Sequence, residues 1–340
     1  MYTLHLEGNS VVRVVEAPDP APGEGEVVIR TAVSALCGSE LHNYRGPGVA
    51  SGNSGHEAAG TVLQVGPGVA RLIVGQRVGI SAVVGCGHCE YCAKGQYTWC
   101  RNRPGYWSMH AERILTAARA CHPLPDDISW DVGALISGDG LGVPYHAWTK
   151  IQDPAIKTMA VFGVGPIGLG NVLLESTMGR RVIAVDISPE RLGLALKLGA
   201  VEAVDARSAN PVTAIRDLTE GRGADVCLEA SGKPEPLKQC FAAVRPGGTV
   251  LIVGEQPRIE LSPSEDFIRR DIAAIGSFFY HFSEFPQMLA LVRQGLPVER
   301  LITHHFPFEQ ADAAYREFAA ARTGKVLLVW ESVAHASLGA

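Results

Sequence analysis

Between Cys37 and Glu57 the sequence gathers a thiol, two imidazoles, a hydroxyl and two carboxylates. It reads Cys37-Gly38-Ser39-Glu40-Leu41-His42 and, past a glycine-containing loop, Gly55-His56-Glu57. Zinc accepts sulfur, nitrogen and oxygen donors, and its catalytic sites use three protein ligands with one position left open. A site built on Cys37 and His56 needs a further ligand from later in the chain, and Asp139, between Gly138 and Gly140, is the candidate. A lone cysteine is most often a small buried hydrophobe, so the argument for a metal rests on the company these residues keep.

Two further stretches carry chemistry. Cys86, Cys89, Cys92 and Cys100 follow a C-x2-C-x2-C-x7-C spacing, which suits a tetrahedral four-thiolate zinc site with no open position. An iron–sulfur cluster fits less well. A closed thiolate shell leaves no room for a substrate, so this site is structural: metal affinity becomes folding energy for its loop. The second stretch is Gly163-Val164-Gly165-Pro166-Ile167-Gly168. Such a glycine pattern is weak alone, but here it follows a strand-like run and opens a helix, and Asp186 ends the next strand near the spacing of a ribose-binding acid. Gly163 permits the tight turn, Gly165 lets the backbone approach a pyrophosphate, and Gly168 allows close helix–strand packing. The helix N-terminus offers unpaired N–H groups to the phosphates. Asp186 repels a 2′-phosphate, which favours NAD over NADP. The predicted cofactor-binding set is Gly163, Gly165, Pro166, Ile167, Gly168, Asp186 and Arg191.

The elements that must hold these groups change character along the chain. Val11–Val15, Glu26–Val33, Gly60–Val65 and Arg77–Ile80 read as short strands separated by proline- and glycine-rich turns, as in a small barrel or sandwich. After about residue 150 strands and helices alternate. Thr158–Phe162, Arg181–Val185, Asp225–Leu228 and Thr249–Val253 are strands; Ile167–Ser176 and Pro189–Leu198 are helices, the latter with Ser188 as N-cap and Pro189 at its first position. That rhythm predicts a doubly wound parallel sheet. Glu284–Gln294 reads as helix and Val326–Trp330 as strand.

With 340 residues, two domains are expected. A formal net charge of −5 without a basic run argues against a nucleic-acid partner. No charged start followed by an apolar block marks a signal peptide. The longest uncharged apolar run, Met159–Leu174, is broken by four glycines and does not read as a membrane span. Eight cysteines without a secretory signal point to metal ligands in a reducing compartment. The expectation is a cytoplasmic protein.

Taken together, the C-G-S-E-x-H region, Gly55-His56-Glu57, the four-cysteine lobe and the glycine turn with its acid resemble the zinc-dependent alcohol dehydrogenases of the medium-chain dehydrogenase/reductase superfamily. The resemblance runs from Pro18 to near Val329. It implies an α/β fold: a GroES-like β-barrel catalytic domain over 1–149 with the zinc lobe at 86–100, a Rossmann NAD-binding domain over 150–287, and a return to the catalytic domain over 288–340. It implies two zinc ions per chain. Cys37, His56 and Asp139 would hold the catalytic one, Asp139 standing where the family has Cys, Asp or Glu; Cys86, Cys89, Cys92 and Cys100 would hold the structural one. A carboxylate in place of a thiolate is a harder donor and tends to leave zinc more Lewis acidic. Among the catalytic residues, Ser39 matches the hydroxyl that takes the substrate proton and His42 the imidazole that passes it on. Glu57 matches a glutamate beside the metal that enters or leaves its shell. Glu40 stands where the family usually has Asp, as the partner of the zinc-bound histidine. The implied reaction is oxidation of a primary or secondary alcohol, a polyol or cyclitol included, by alkoxide formation at zinc and hydride transfer to NAD.

The same residues admit two other readings. A zinc-independent reductase of activated C=C bonds shares the fold, and a non-enzymatic NAD- or zinc-binding protein belongs to another class. Tyr106, Trp107 and His110 either line the substrate site or pack the core. The apolar run Ile272–Tyr280 is either a strand that pairs subunits, giving a homo-oligomer (dimer or tetramer), or an interior strand.

Overall fold

A computed structural model of the chain describes residues 1–330, so the end of the segment 288–340 lies outside the described residues. By contact density the chain forms two units. The first holds Met1–Gly142, Phe279–Ala320 and the chain from Lys325; the second holds Val143–Phe278 with Ala321–Gly324 inserted from the late chain. The first crossing therefore falls inside the helix Asp139–Trp148 and the second at Phe279, rather than at 149/150 and 287/288.

The first unit is mostly β. Among the described residues its main sheet runs in the order Ile302–Pro307, Lys325–Val329, Glu26–Ala35, Ala58–Val65, Arg77–Ile80 and Cys121–Pro123, with Arg113–Ala117 also pairing to Glu26–Ala35. All of these pairings are antiparallel except that between the two late strands. Val27, Ile29, Val62, Val78, Ile80, Met109 and Ile114 fill one core. Leu4, Leu6, Leu36, Tyr44, Tyr315 and Phe318 fill another, under the hairpin Tyr2–Gly8/Val11–Glu16.

The second unit is a parallel sheet in the order Glu202–Asp205, Arg181–Asp186, Thr158–Phe162, Ala224–Glu229, Val244–Ile252, Ala273–Gly276. Its central strands read as unbroken apolar runs because both faces are covered, as parallel sheets require. The helices Pro166–Thr177 and Pro189–Lys197 each begin with proline, and Ser188 caps the second by accepting from Arg191 N. Ile272–Tyr280 is strand only over Ala273–Gly276; the chain then leaves the sheet and Phe279 adopts a left-handed φ of 48°.

Candidate active site and metal centres

Cys37 lies just past the long strand Glu26–Ala35, and His56 and Glu57 lead into its neighbour Ala58–Val65. Asp139 opens the helix Asp139–Trp148 one residue after Trp130–Ser137 ends. Gly138, between the two helices, must be glycine. A Cβ there would stand 2.9 Å from Glu57 Cγ and 2.7 Å from the Ala134 carbonyl oxygen. That close approach lets the Asp139 amide donate to Glu57 Oε2 at 3.0 Å.

The structure brings Cys37, His56, Glu57 and Asp139 together with one donor atom of each within 4.8 Å of the others, all four side chains buried. His56 Nε2 is 3.1 Å and Cys37 Sγ 3.5 Å from Asp139 Oδ2. Donors bound to zinc in a tetrahedron lie roughly 3.3–3.8 Å apart, so the cluster is within a few tenths of an ångström of that size. His56 Nδ1 bonds the Ser54 carbonyl at 2.9 Å, which leaves Nε2 facing the cluster. Asp139 Oδ1 is buried with no hydrogen-bond partner among the described residues. A buried carboxylate oxygen left bare is costly, and a cation supplies what it lacks. The donor set fits zinc.

Lys325 belongs to this cluster, although nothing in the sequence motifs marks it. Its ammonium pairs with Glu57 Oε1, and both side chains are fully buried. Its one sequence signal is a charge opening an otherwise apolar strand, Lys325-Val326-Leu327-Leu328-Val329. The charges here set one another. Burial alone would lower the His56 and Lys325 pKa values; Cys37 and Asp139 raise His56 well above its ordinary value, and Glu57 and Cys37 raise Lys325. Burial raises Asp139, but His56 and Lys325 outweigh it and hold the carboxyl low. Burial pushes Glu57 up, Lys325 pulls it back, and Asp139 adds to the rise.

Ser39 and His42 are exposed and lie three residues apart at the start of the helix Glu40–Arg45, with Ser39 Oγ 3.4 Å from Cys37 Sγ. Glu40 does not serve His56 as expected. One carbon longer than Asp, it turns away and accepts from Cys37 N at 2.8 Å, His110 Nε2 at 2.9 Å and Tyr315 OH at 2.5 Å. The aromatic segment after the lobe divides. Trp107 is 55% exposed and sits edge-on to His56 at 6.2 Å, and Phe279, whose role the sequence did not reveal, does so at 6.1 Å. Tyr106 instead donates to Glu26 Oε1 at 2.7 Å, and His110 is fully buried.

The four lobe thiols also converge. Cys86 and Cys89 lie 3.8 and 3.5 Å from Cys92 Sγ, and Cys86 N donates to Cys100 Sγ at 3.3 Å. Sulfurs on a tetrahedral zinc are about 3.8 Å apart, whereas a disulfide needs about 2.05 Å. Backbone N–H groups of His88 and Cys89 bring Cys86 down to about 6, whereas burial takes Cys92 up to about 12. His88 contributes its backbone alone to this account.

In the second unit Gly163 takes φ 85°, and a Cβ on it would meet Ser231 N at 2.7 Å. A Cβ on Gly168 would collide with the Gly163 carbonyl. At Gly165 the nearest atom to such a Cβ is Arg191 Nη1, 3.6 Å away, so the loop is open there. Pro166 and Ile167 form the first helical turn behind it. Asp186 Oδ2 accepts from Val164 N at 2.7 Å, while Oδ1 accepts from Ile187 N and Ser188 N. The acid thereby ties the glycine loop to the neighbouring strand end. Arg191 lies beside Gly165 with its Nε donating to the Thr323 carbonyl at 3.2 Å.

Two family models match. Residues 23–126 fit the alcohol dehydrogenase GroES-like domain and residues 166–294 the zinc-binding dehydrogenase domain. A sorbitol dehydrogenase of Bacillus subtilis is 30% identical over 329 residues, 92% of each chain. The chain belongs to the zinc-type alcohol dehydrogenase family. The alcohol dehydrogenase TADH from Thermus sp. ATN1 superposes with a TM-score of 0.87 at 29% identity, covering 97% of this chain and 99% of that one. A protein described as a short chain alcohol dehydrogenase of Escherichia coli CFT073, solved with NADH, gives 0.86 at 26% identity, covering 97% and 99%. As a member of this dehydrogenase family the chain is an oxidoreductase, and its two donor clusters fit the zinc chemistry of the family. Among the described residues no helix is long and apolar enough to cross a membrane.

Proposed function

We propose that this dehydrogenase oxidises a primary or secondary alcohol, a polyol or cyclitol included, with zinc held at Cys37, His56 and Asp139 and with NAD as hydride acceptor. The observation that carries the reading is the buried convergence of those three side chains on one point, with Asp139 Oδ1 otherwise bare. Zinc there supplies Lewis acidity, the property that takes bound water from a pKa of 15.7 to about 7. Cys37 and Asp139 bring two negative charges against its two positive ones. Glu57 adds a third, which Lys325 balances.

The remaining work falls to the chain's own groups. Ser39 Oγ, exposed beside Cys37, accepts the hydroxyl proton and gives up its own, by way of the nicotinamide ribose, to His42 one turn on, which releases it to solvent. Trp107 and Phe279 form an aromatic wall beside His56. The loop Gly163–Gly168 holds the pyrophosphate with Arg191 beside it, and Asp186 takes the adenosine ribose and excludes a 2′-phosphate. Cys86, Cys89, Cys92 and Cys100 hold a second, structural zinc. The family resemblance to a sorbitol dehydrogenase supports a polyol as first substrate to try.

The test is a panel of polyols, cyclitols and simple secondary alcohols assayed by NADH absorbance, with zinc quantified per chain. Turnover of at least one alcohol with two zincs per chain is expected; a fully metallated chain inert toward all of them sinks the reading. Ser39→Ala should lower kcat by roughly 10²–10⁴-fold, the usual worth of a positioned proton acceptor, with zinc content and NAD affinity unchanged.

The same reading makes the protein a homo-oligomer. Among the described residues Ala273–Gly276 ends its sheet and pairs on one side only, with Ala273, Ala274 and Gly276 exposed and Ile268 69% exposed nearby. A bare apolar edge templates pairing with another copy. Ala274→Lys should halve the mass measured by light scattering with the far-ultraviolet circular dichroism unchanged; an unchanged mass removes this edge as the interface.

A further inference from the structure

His110 is buried more completely than any chemistry assigned above requires. Its side chain and those of Ser34, Glu40 and Tyr315 are at most 1% exposed, yet their polar atoms are joined. Glu40 Oε2 receives His110 Nε2 and Tyr315 OH, and a carboxylate only accepts, so His110 Nε2 donates. In the neutral imidazole Nδ1 then accepts from the Ser34 hydroxyl at 2.8 Å. The Ser34 oxygen in turn accepts from Trp330 Nε1 at 2.8 Å. The donors run Trp330, Ser34, His110, and the chain ends on the Glu40 carboxylate, which also accepts from Cys37 N.

The same imidazole also bears on the second ligand segment. Asn53 fixes the His110 backbone, accepting from its N–H at 3.2 Å and donating to its carbonyl at 3.0 Å. Asn53 Oδ1 also accepts from Gly55 N, and Met109 N donates to Gly55 O. The His110 ring lies flush against Gly55, where a Cβ would stand 2.8 Å from its Cγ. Gly55 immediately precedes His56. His110 therefore touches the Cys37 loop through Glu40 and the His56 loop through Gly55.

We propose that Glu40 and His110 are a matched pair of positioning residues for the metal centre. Together they lock the Cys37 loop to the His56 loop. Glu40 departs from the pattern that the sequence resembles, and the structure shows what its extra length meets. The longer acid takes His110 and Tyr315 as partners and leaves His56 to another one. His56 is consequently oriented by a neutral carbonyl, that of Ser54, instead of a carboxylate. Both ligand loops then depend on one buried hydrogen-bond network, which rests on the zinc site proposed above.

The test uses the full chain with Co²⁺ in the Cys37 site and zinc left in the lobe. Cobalt affinity and the near-ultraviolet thiolate-to-cobalt band are followed in Glu40→Gln, His110→Phe and the double variant. Glu40 faces three donors, so Gln must turn an NH2 group toward at least one of them. We expect each single variant to lose roughly 10–100-fold in cobalt affinity, as partners of metal ligands usually do, and to shift the band. The double variant should lose no more than the worse single one, because the two act as a unit. Tyr315→Phe, which removes one donor and leaves the loops alone, gives a smaller loss and keeps the readout if His110→Phe fails to fold. Wild-type affinity and band in Glu40→Gln, or losses that simply multiply in the double variant, overturn the pairing. A wild-type chain that takes up metal only in the lobe overturns the zinc site itself.

Discussion

Cys37→Ser loses at least about three orders of magnitude in turnover, or roughly 4 kcal/mol at 1.4 kcal/mol per decade, while NAD binds as before. A serine hydroxyl keeps the size of the side chain but is not ionised near neutral pH, so it brings zinc neither the charge nor the soft donor of a thiolate. His56 and Asp139 remain, yet two ligands do not fill a three-ligand catalytic shell, and metal content should fall from two per chain toward one. What is forfeited is large. A shift of more than eight pK units in a bound hydroxyl corresponds to about 11 kcal/mol of help at neutral pH, of which background routes recover part. NAD affinity stays because the glycine loop and Asp186 belong to the other unit. Stopped-flow turnover, fluorescence titration with NADH and metal analysis together decide it. Turnover within tenfold of wild type in a chain lacking that zinc removes Cys37 from the mechanism.

Lys325→Met destabilises the protein by about 3–5 kcal/mol, the usual cost of leaving one member of a buried ion pair alone. Methionine fills nearly the same volume, so the effect is electrostatic. Among the described residues Glu57 is left with Asp139 N as its donor, and it faces a second carboxylate across the cluster. The Lys325 pKa is raised above its ordinary 10.5, chiefly because Glu57 offsets the burial that would lower it. The contribution of the Lys325 charge is thus fully present from neutral pH up to about 10.5 and is lost as pH rises through the higher folded value. Urea unfolding at neutral pH should show the whole deficit. Lys325→Met combined with Glu57→Gln removes both charges and should regain most of it. If the single variant unfolds within about 1 kcal/mol of wild type, Lys325 is not the counter-charge of the centre.

The sites are not equally open to reading in the sequence. The four lobe thiols fall between Cys86 and Cys100, and the glycine turn between Gly163 and Gly168 with its acid one strand later. In both the local chain geometry alone brings the groups together, so spacing is diagnostic. The alternation of apolar strands with proline-started helices was legible for the same reason, since period and capping are local properties. Within Ile272–Tyr280 only Ala273–Gly276 is strand, because apolar content does not reveal where a chain leaves a sheet and turns left-handed at Phe279.

Elsewhere tertiary structure decided. Asp139 meets Cys37 across 102 residues, and Lys325 meets Glu57 across 268. A lysine at the head of an apolar strand reads as an exposed charge, because burying an ammonium is unfavourable unless a partner waits for it, and that partner belongs to a distant segment. Glu40 reads as a longer Asp until the fold shows His110 and Tyr315 within its reach. The sequence by itself determined which donors, which turn and which family; only the folded chain determined which carboxylate meets the cluster bare, which one is neutralised, and which histidine stands behind the ligands. Contacts between segments far apart in the chain depend on strand register and packing, and those are properties of the whole core and not of any motif.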